Sequence, residues 1–164
     1  MQQANVLYFD QLEVGREWVS EPRLVRPDDV HQFADLTGDH SPVHVDPAFA
    51  ATTPFRQCIA HGLLVMSLGG GLTLNAPPVR TLAFAGIREW RFVGPVFLGD
   101  EIRVRNRVEE VTPRGVGRRA EVVWRVQVIN QNNEVVQEGI TATLVEGLAA
   151  ARRTQRAGGE MASA

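Results

Sequence analysis

The sequence predicts an α+β domain in which one apolar helix lies against a curved antiparallel β-sheet. Residues 59–74 form the longest apolar stretch, and this stretch is apolar nearly all round, so its whole surface must be covered. Later in the chain, apolar and polar residues alternate over three segments, which indicates antiparallel strands with one buried face. Because the helical patterns come first and the strand patterns last, a sheet wrapped around the apolar helix is expected.

The first helix is predicted to begin at Pro27, where a proline and two acidic residues occupy the first turn. Apolar residues follow at helical spacing until Gly38, which is typical of a helix C-terminal cap. Residues 39–47 contain two prolines and are predicted to be irregular. Residues 47–51 favour a brief helical turn, and the long apolar helix is expected to begin near Ala60.

Three strands are predicted after the proline pair at 77–78. Arginines alternate with the apolar residues of the first strand and are expected to form its solvated face, although contact with the phosphate groups of a ligand is an alternative. Gly-rich and Asn-rich segments at 115–117 and 131–133 mark the turns between strands. The inward residues are Ile102, Val104 and Val108, then Ala120, Val122, Trp124, Val126 and Val128, then Ile140, Ala142 and Leu144; the outward arginines are Arg103, Arg105 and Arg107.

Length and composition favour one soluble domain over residues 1–147, followed by a disordered tail at 148–164 that is rich in Ala, Gly and Arg. The formal net charge of −2 gives no reason to expect nucleic acid as a partner. The single cysteine, Cys58, excludes a disulfide within the chain and is consistent with a cytoplasmic location. No secretory signal and no membrane span are expected, because the apolar stretch is short and interrupted.

Asp39 and His44 are the first candidates for chemistry. Pro42 fixes its own φ and extends the residue before it, so the loop that joins Asp39 to His44 is irregular but stiff. A carboxylate and an imidazole aimed at one water form an acid–base pair. The alternative is that Asp39 only caps nearby amides and that His44 is structural.

The start of the apolar helix is the second candidate. The first amides of a helix have no partner within it, and a glycine such as Gly62 lets a ligand approach the backbone closely. The Gly62 N–H is therefore a candidate for holding a carbonyl oxygen as it gains charge. Ser67, one and a half turns on, either reaches back toward this site or bonds to a carbonyl of its own helix.

Other chemistries find no pattern in the sequence. The histidines and Cys58 do not match a zinc motif, so no metal is expected. The glycine run at 69–71 lacks the context of a phosphate-binding loop and is expected to permit close contact with another backbone. No Gly-x-Ser-x-Gly nucleophile motif is present.

Residues 33–44, FADLTGDHSPVH, with Ala50 after them, resemble the hydratase-2 motif of the MaoC-like (R)-specific enoyl-CoA hydratases. That motif runs from an aromatic residue through Gly-Asp-x-Asn-Pro-aliphatic-His to a small residue. Residues 59–67 and 91–100 resemble further segments of the family, so the resemblance covers roughly residues 10–145. Ser41 stands where the motif has Asn. Because Ser has one hydroxyl in place of an amide, the loop is expected to be held differently.

The resemblance implies a hotdog fold and reversible hydration of trans-2-enoyl thioesters to (R)-3-hydroxyacyl thioesters. It implies Asp39 and His44 as catalytic residues and the Gly62 N–H as the oxyanion donor, with Ser41 and Ser67 in support. CoA or an acyl carrier would be the handle of the substrate, no cofactor would be needed, and the chain would form a homodimer or a higher homo-oligomer.

Two other functions remain open at this point. One is a hotdog acyl-CoA thioesterase, although such enzymes usually carry their carboxylate elsewhere. The other is a non-catalytic subunit that binds acyl thioesters beside an active homologue. Asp39 and His44 together argue against the second function, whereas Ser41 keeps it open.

Overall fold

A computed structural model describes residues 6–151, in which one antiparallel sheet of six strands is packed against a central helix. Residues 1–5 lie outside the described residues. The elements in chain order are a 3₁₀ turn (Phe9–Gln11), β1 (Glu17–Val19), β2 (Arg23–Leu24), α1 (Pro27–Thr37), α2 (Pro42–Val45), α3 (Pro47–Ala50), α4 (Gly62–Thr73), β3 (Thr81–Phe92), β4 (Glu101–Arg114), β5 (Arg119–Asn130) and β6 (Val135–Glu146).

The strands of the sheet are ordered β1-β4-β5-β6-β3, and β2 also pairs with β4. The register of the long strands agrees with the predicted alternation. Residues predicted to point inward are paired with each other, as Val104 on β4 is with Val128 on β5. Strand β3 pairs with β6 along one side and ends the sheet, so its other side is an open edge within the described residues. The predicted α+β class is confirmed by this arrangement.

Helix α4 packs on the sheet through Leu64 and Val65, which are both buried. Gly69 allows the closest approach, because a Cβ built there would lie 3.2 Å from a methyl group of Val128. The expectation that glycines 69–71 contact another backbone was wrong. Gly69 contacts sheet side chains, whereas Gly70 and Gly71 have no atom within 4 Å of a built Cβ. Neither α4 nor any other helix in residues 6–151 has the length and apolar character of a membrane span.

One face of α4 is not covered by the sheet, contrary to expectation. Leu63 and Leu74 on this face are exposed, and so are Phe84 and Ile87 on the neighbouring edge strand β3. The reason is that the sheet ends at β3, so nothing within the described chain extends over that side of the helix. The single chain therefore presents a continuous apolar surface on α4 and β3.

Residues 148–151, which were predicted as the beginning of a disordered tail, are ordered. Residues 148–151 form a helical turn, and Ala151 is buried. The Leu148 N–H donates to a carboxylate oxygen of Asp10 at 2.8 Å, which attaches this turn to the beginning of the domain. Residues 152–164, the rest of the predicted tail, lie outside the described residues.

Candidate active site

The loop that carries Asp39 follows α1 directly. Gly38 ends α1 in the left-handed conformation (φ +78°), and its N–H donates to the Ala34 carbonyl at 2.8 Å. Ser41 is extended ahead of Pro42, as expected for a residue that precedes proline. Pro42 then begins the helical turn α2, so the segment predicted as irregular contains one short helical piece. His44 lies on that turn.

Ser41 holds the Asp39 carboxylate. Its hydroxyl donates to Oδ1 of Asp39 at 2.5 Å, and its backbone N–H donates to the same oxygen at 3.2 Å. The hydroxyl bond of Ser41 is the main reason that the pKa of Asp39 lies below its ordinary value; the N–H bond and the nearby His61 and His44 lower the pKa further, against a smaller desolvation effect. Ser41 therefore supports the ionised form of Asp39, in the place where the related motif has Asn.

His44 is oriented by a backbone carbonyl. Its Nδ1 lies 2.8 Å from the Ile59 oxygen, which only accepts, so Nδ1 carries the proton. The Ile59 N–H in turn donates to the Val43 oxygen at 3.3 Å. Two hydrogen bonds therefore connect Ile59, which precedes α4, to the turn α2. In the neutral ring, Nε2 of His44 is then the free acceptor.

His61 completes the cluster, although sequence reasoning gave it no role. It is the N-cap of α4, it is only 2% exposed, and its Nε2 donates to the backbone oxygen of Asp39 at 2.8 Å. Its ring lies against that of His44, with the centroids 3.9 Å apart, and beside that of Phe33 at 5.1 Å. A histidine directly before the glycine of an apolar helix was the only available signal, and it is a weak one.

The cluster at the N-terminal end of α4 therefore consists of Asp39, His44 and His61. One side-chain ligand atom from each of these residues lies within 4.8 Å of the others. Such a set could in principle bind a metal ion. However, Nε2 of His61 already donates to a carbonyl, and Oδ1 of Asp39 already accepts two hydrogen bonds from Ser41. A metal bound through Nε2 of His61 would need that hydrogen bond broken, whereas acid–base work by Asp39 and His44 leaves it in place. That no metal takes part stays a prediction.

Gly62 is the first residue of α4, so the helix itself provides no partner for its N–H. Its carbonyl accepts a hydrogen bond of 2.9 Å from Nε2 of Gln137, a buried side chain whose Oε1 accepts from the Trp90 indole at 3.2 Å. A Cβ built on Gly62 would lie 2.9 Å from the Phe92 ring. A side chain at this position would therefore collide with the Phe92 ring, and Gln137 fixes the peptide that joins Gly62 to Leu63.

Ser67 does not join the cluster. Its hydroxyl donates to the Leu63 carbonyl of its own helix at 2.8 Å, which is the second of the two alternatives considered from the sequence. Ser67 nevertheless lines a cavity of about 420 Å³ between α4 and the sheet, which lies within the size range of small-molecule sites. The lining is largely apolar and includes Met66, Leu74, Phe84, Ile87, Trp90, Trp124 and Val126.

We expect Ser41→Ala to change the pH dependence of the site. Loss of the hydroxyl bond removes a contact that favours the ionised carboxylate, so the pKa of Asp39 rises. On acidification, Asp39 then gains its proton at a higher pH, and the acid limb of kcat/KM moves to higher pH. The pH profile of enoyl-CoA hydration measures this shift. Ser41→Thr keeps a hydroxyl and serves as the control, and equal acid limbs in all three proteins would contradict the assignment.

Comparison with known proteins places the chain in a family. The sequence model of the MaoC-like domain matches residues 11–132. A 3-hydroxybutyryl-CoA dehydratase from Methylorubrum extorquens is 35% identical over 134 residues, which cover 82% of this chain and 81% of the relative. An (R)-specific enoyl-CoA hydratase from Aeromonas caviae is 42% identical over 91 residues, which cover 56% of this chain and 66% of the relative.

The structure of this chain also resembles solved structures of a known fold. A solved Mycobacterium tuberculosis protein with a double hotdog fold matches 87% of this chain with a TM-score of 0.75, at 19% identity and over 44% of its own length. This match concerns the fold alone, and it confirms the predicted hotdog fold. The chain belongs to the MaoC-like domain family. The predicted enzyme class, hydratase or dehydratase, is confirmed by the relatives of that name.

Proposed function

We propose that this protein catalyses the reversible addition of water to a trans-2-enoyl thioester, giving an (R)-3-hydroxyacyl thioester. The observation that carries the proposal is the meeting of Asp39, His44 and the N-terminus of α4 at one point. A carboxylate held in its ionised form, an imidazole with a free nitrogen and an amide that its helix leaves unpaired are the three groups that this reaction needs. The (R) configuration follows the related (R)-specific hydratase.

The proposed mechanism begins with one water between Asp39 and Nε2 of His44. As the water oxygen attacks C3, Asp39 accepts one of its protons and His44 keeps the water oriented. The electron pair of the double bond moves onto the thioester oxygen, and the Gly62 N–H stabilises the charge that forms there. Protonated Asp39 then gives this proton to C2, with His44 assisting the transfer, and the protein returns to its starting protonation state. Dehydration runs through the same steps in reverse.

The thioester itself makes this chemistry accessible without a resident cofactor. It polarises the double bond and acidifies C2, so acid–base groups and one amide donor are sufficient. We propose that the acyl chain enters the cavity between α4 and the sheet, whose apolar lining matches an alkyl group. CoA or an acyl carrier would then be the handle outside the cavity. A cytoplasmic location belongs to the same proposal, because these carriers are intracellular.

The direct test uses crotonyl-CoA and 3-hydroxybutyryl-CoA with the purified protein. We expect loss of the absorbance of the conjugated thioester with the first substrate, its appearance with the second, and no release of free thiol. Thiol release at the rate of substrate consumption would instead show a thioesterase. An inactive pure protein that gains activity only with a second chain would show a non-catalytic subunit.

We also propose that the protein forms a homodimer through the apolar surface of α4 and β3. The open edge of β3 offers unpaired backbone groups, and exposed Leu63, Leu74, Phe84 and Ile87 lie beside it. Pairing of two such edges would bury this surface and remove an aggregation hazard. A higher homo-oligomer would add further contacts to this dimer.

Phe84→Glu is expected to break that dimer, because it places a charge in an apolar interface on the edge strand. Light scattering should give twice the 18.1 kDa chain mass for the parent protein and the single chain mass for the variant. Val116→Glu is the matched control, since Val116 is 99% exposed at the turn between β4 and β5. A monomeric parent, or a variant that remains dimeric, would contradict the proposed interface.

A further inference from the structure

His61 is the buried side chain on which the elements around the site converge. It is the N-cap of α4, it is only 2% exposed, and the mechanism above gives it no part. Its Nε2 donates to the backbone oxygen of Asp39 at 2.8 Å. Its ring contacts those of Phe33 on α1 and His44 on α2, with centroid distances of 5.1 Å and 3.9 Å. One ring therefore connects α1, the Asp39 loop, α2 and the beginning of α4.

The position of the His61 proton follows from these contacts. Nε2 carries it, because the carbonyl oxygen that Nε2 contacts can only accept. Nδ1 is buried and has no hydrogen-bond partner among the described residues, so in the neutral ring it carries no proton and is shielded from a ligand. His61 therefore cannot exchange a proton with a substrate without breaking its bond to Asp39. Any part it has in the reaction acts through other residues.

The bond from His61 holds the Asp39 loop from outside that loop. Residues 37–42 are all exposed, so burial does not fix their position. Within residues 6–151, the other hydrogen bonds of Asp39 involve Thr37 and Ser41, each two positions away in the chain. Such local bonds shape the loop but move with it. The bond from His61, 22 positions along the chain, is therefore the hydrogen bond that fixes Asp39 relative to α4.

The backbone of His61 belongs to the same arrangement. The peptide bond from His61 to Gly62 carries the N–H that is proposed to hold the thioester oxygen. The carbonyl of His61 accepts from the Val65 N–H at 3.1 Å, which fixes the residue to the first turn of α4. The side chain of His61 thus holds the proposed base, Asp39, while its peptide carries the proposed oxyanion donor.

We infer that His61 is a positioning residue for the proposed hydration, and that its Nε2–H holds Asp39 in place relative to the Gly62 N–H. This inference rests on the proposed function and adds a residue to it. Displacement of a catalytic group by about 1 Å can lower a rate by about 10²-fold. Loss of the Nε2–H bond should therefore lower kcat, whereas KM should change much less because the binding contacts of the substrate remain.

The test compares His61→Met with His61→Gln, two side chains of equal length. Both lack the ring, but only Gln can donate an Nε2–H to the Asp39 carbonyl. With crotonyl-CoA, we expect the Met variant to lose about 10²-fold in kcat with KM within about threefold of the parent value. The Gln variant should recover at least about tenfold of that loss, the contribution of one hydrogen bond. A role in packing alone would lower both variants alike.

His31→Gln is the control for these variants, since His31 is exposed on α1 and lies outside the cluster. Its kcat should match that of the parent protein. Two outcomes would overturn the inference while the hydratase function stands. One is a folded Met variant with the kcat of the parent protein, and the other is a Gln variant no faster than the Met variant.

NMR of the ¹⁵N-labelled parent protein tests the same bond without any variant and without turnover. We expect one histidine ring, identified by its proximity to the Phe33 ring, with its proton on Nε2 and with slow exchange of that proton. A His61 ring with its proton on Nδ1, or with an Nε2–H that exchanges freely, would overturn the inference. If the parent protein does not hydrate crotonyl-CoA, the proposed function fails instead, and the NMR signal still decides whether His61 holds Asp39.

Discussion

Asp39→Asn is expected to lower kcat for crotonyl-CoA hydration by ~10²–10⁴-fold, the usual contribution of a general acid–base group. Asn keeps the size of the side chain and can still accept from the Ser41 hydroxyl and N–H at its amide oxygen. It cannot take a proton from the attacking water. The variant therefore removes the base and leaves the loop in place, so KM should change much less than kcat.

The matched control for this prediction is Asp35→Asn. Asp35 lies on α1 four residues before Asp39, its side chain is exposed, and its nearest ionic partner is His40 at 3.5 Å. Loss of an exposed ion pair has little effect on stability, and Asp35 is outside the cluster. The initial rates of crotonyl-CoA hydration by the two variants should differ by at least ~10²-fold. An Asp39→Asn enzyme as fast as the Asp35→Asn enzyme would remove Asp39 from the mechanism.

His44→Gln is expected to cause a loss of similar size, ~10²–10⁴-fold in kcat. The Gln amide can still donate to the Ile59 carbonyl, which His44 contacts at 2.8 Å. What it lacks is the second ring nitrogen, which in the proposed mechanism holds the water on the side away from that carbonyl. Because His44 also lies against the His61 ring, circular dichroism and thermal unfolding should accompany the rate measurement to confirm that the fold is intact.

His40→Gln provides the control in the same loop. His40 is exposed and contacts Asp35 rather than the cluster, so its rate should match that of the parent protein. Equal losses in His40→Gln and His44→Gln would indicate a general effect on the loop. Parent-like turnover of a folded His44→Gln enzyme would exclude His44 as the residue that orients the water.

The fold could be predicted from the sequence wherever burial follows a simple period. Strands β4 to β6 have one buried face, so their alternation is visible in the residues themselves. Strand β3 has almost no buried side chain in the single chain, and its sequence accordingly lacks alternation. The turn at 148–151 is attached to Asp10, which lies 138 positions before Leu148, and no local pattern encodes such a contact.

For the site too, residues close together in the chain could be proposed from the sequence, whereas a residue that only packing brings near could not. Asp39 and His44 are five positions apart in a stiff loop, so local spacing made them candidates, and only the resemblance implied their roles. His61 reaches them from 22 positions along the chain, and only the packing of α4 against the loop brings its ring to His44.

The most direct measurement of the central claim is a double-mutant cycle on Asp39→Asn and His44→Gln. If both side chains hold the same water, either change alone disables it, and the double variant should be no slower than the slower single variant. Initial rates of crotonyl-CoA hydration by the four proteins give the result. Losses that multiply in the double variant would show that Asp39 and His44 act independently, which would contradict a shared water at this site.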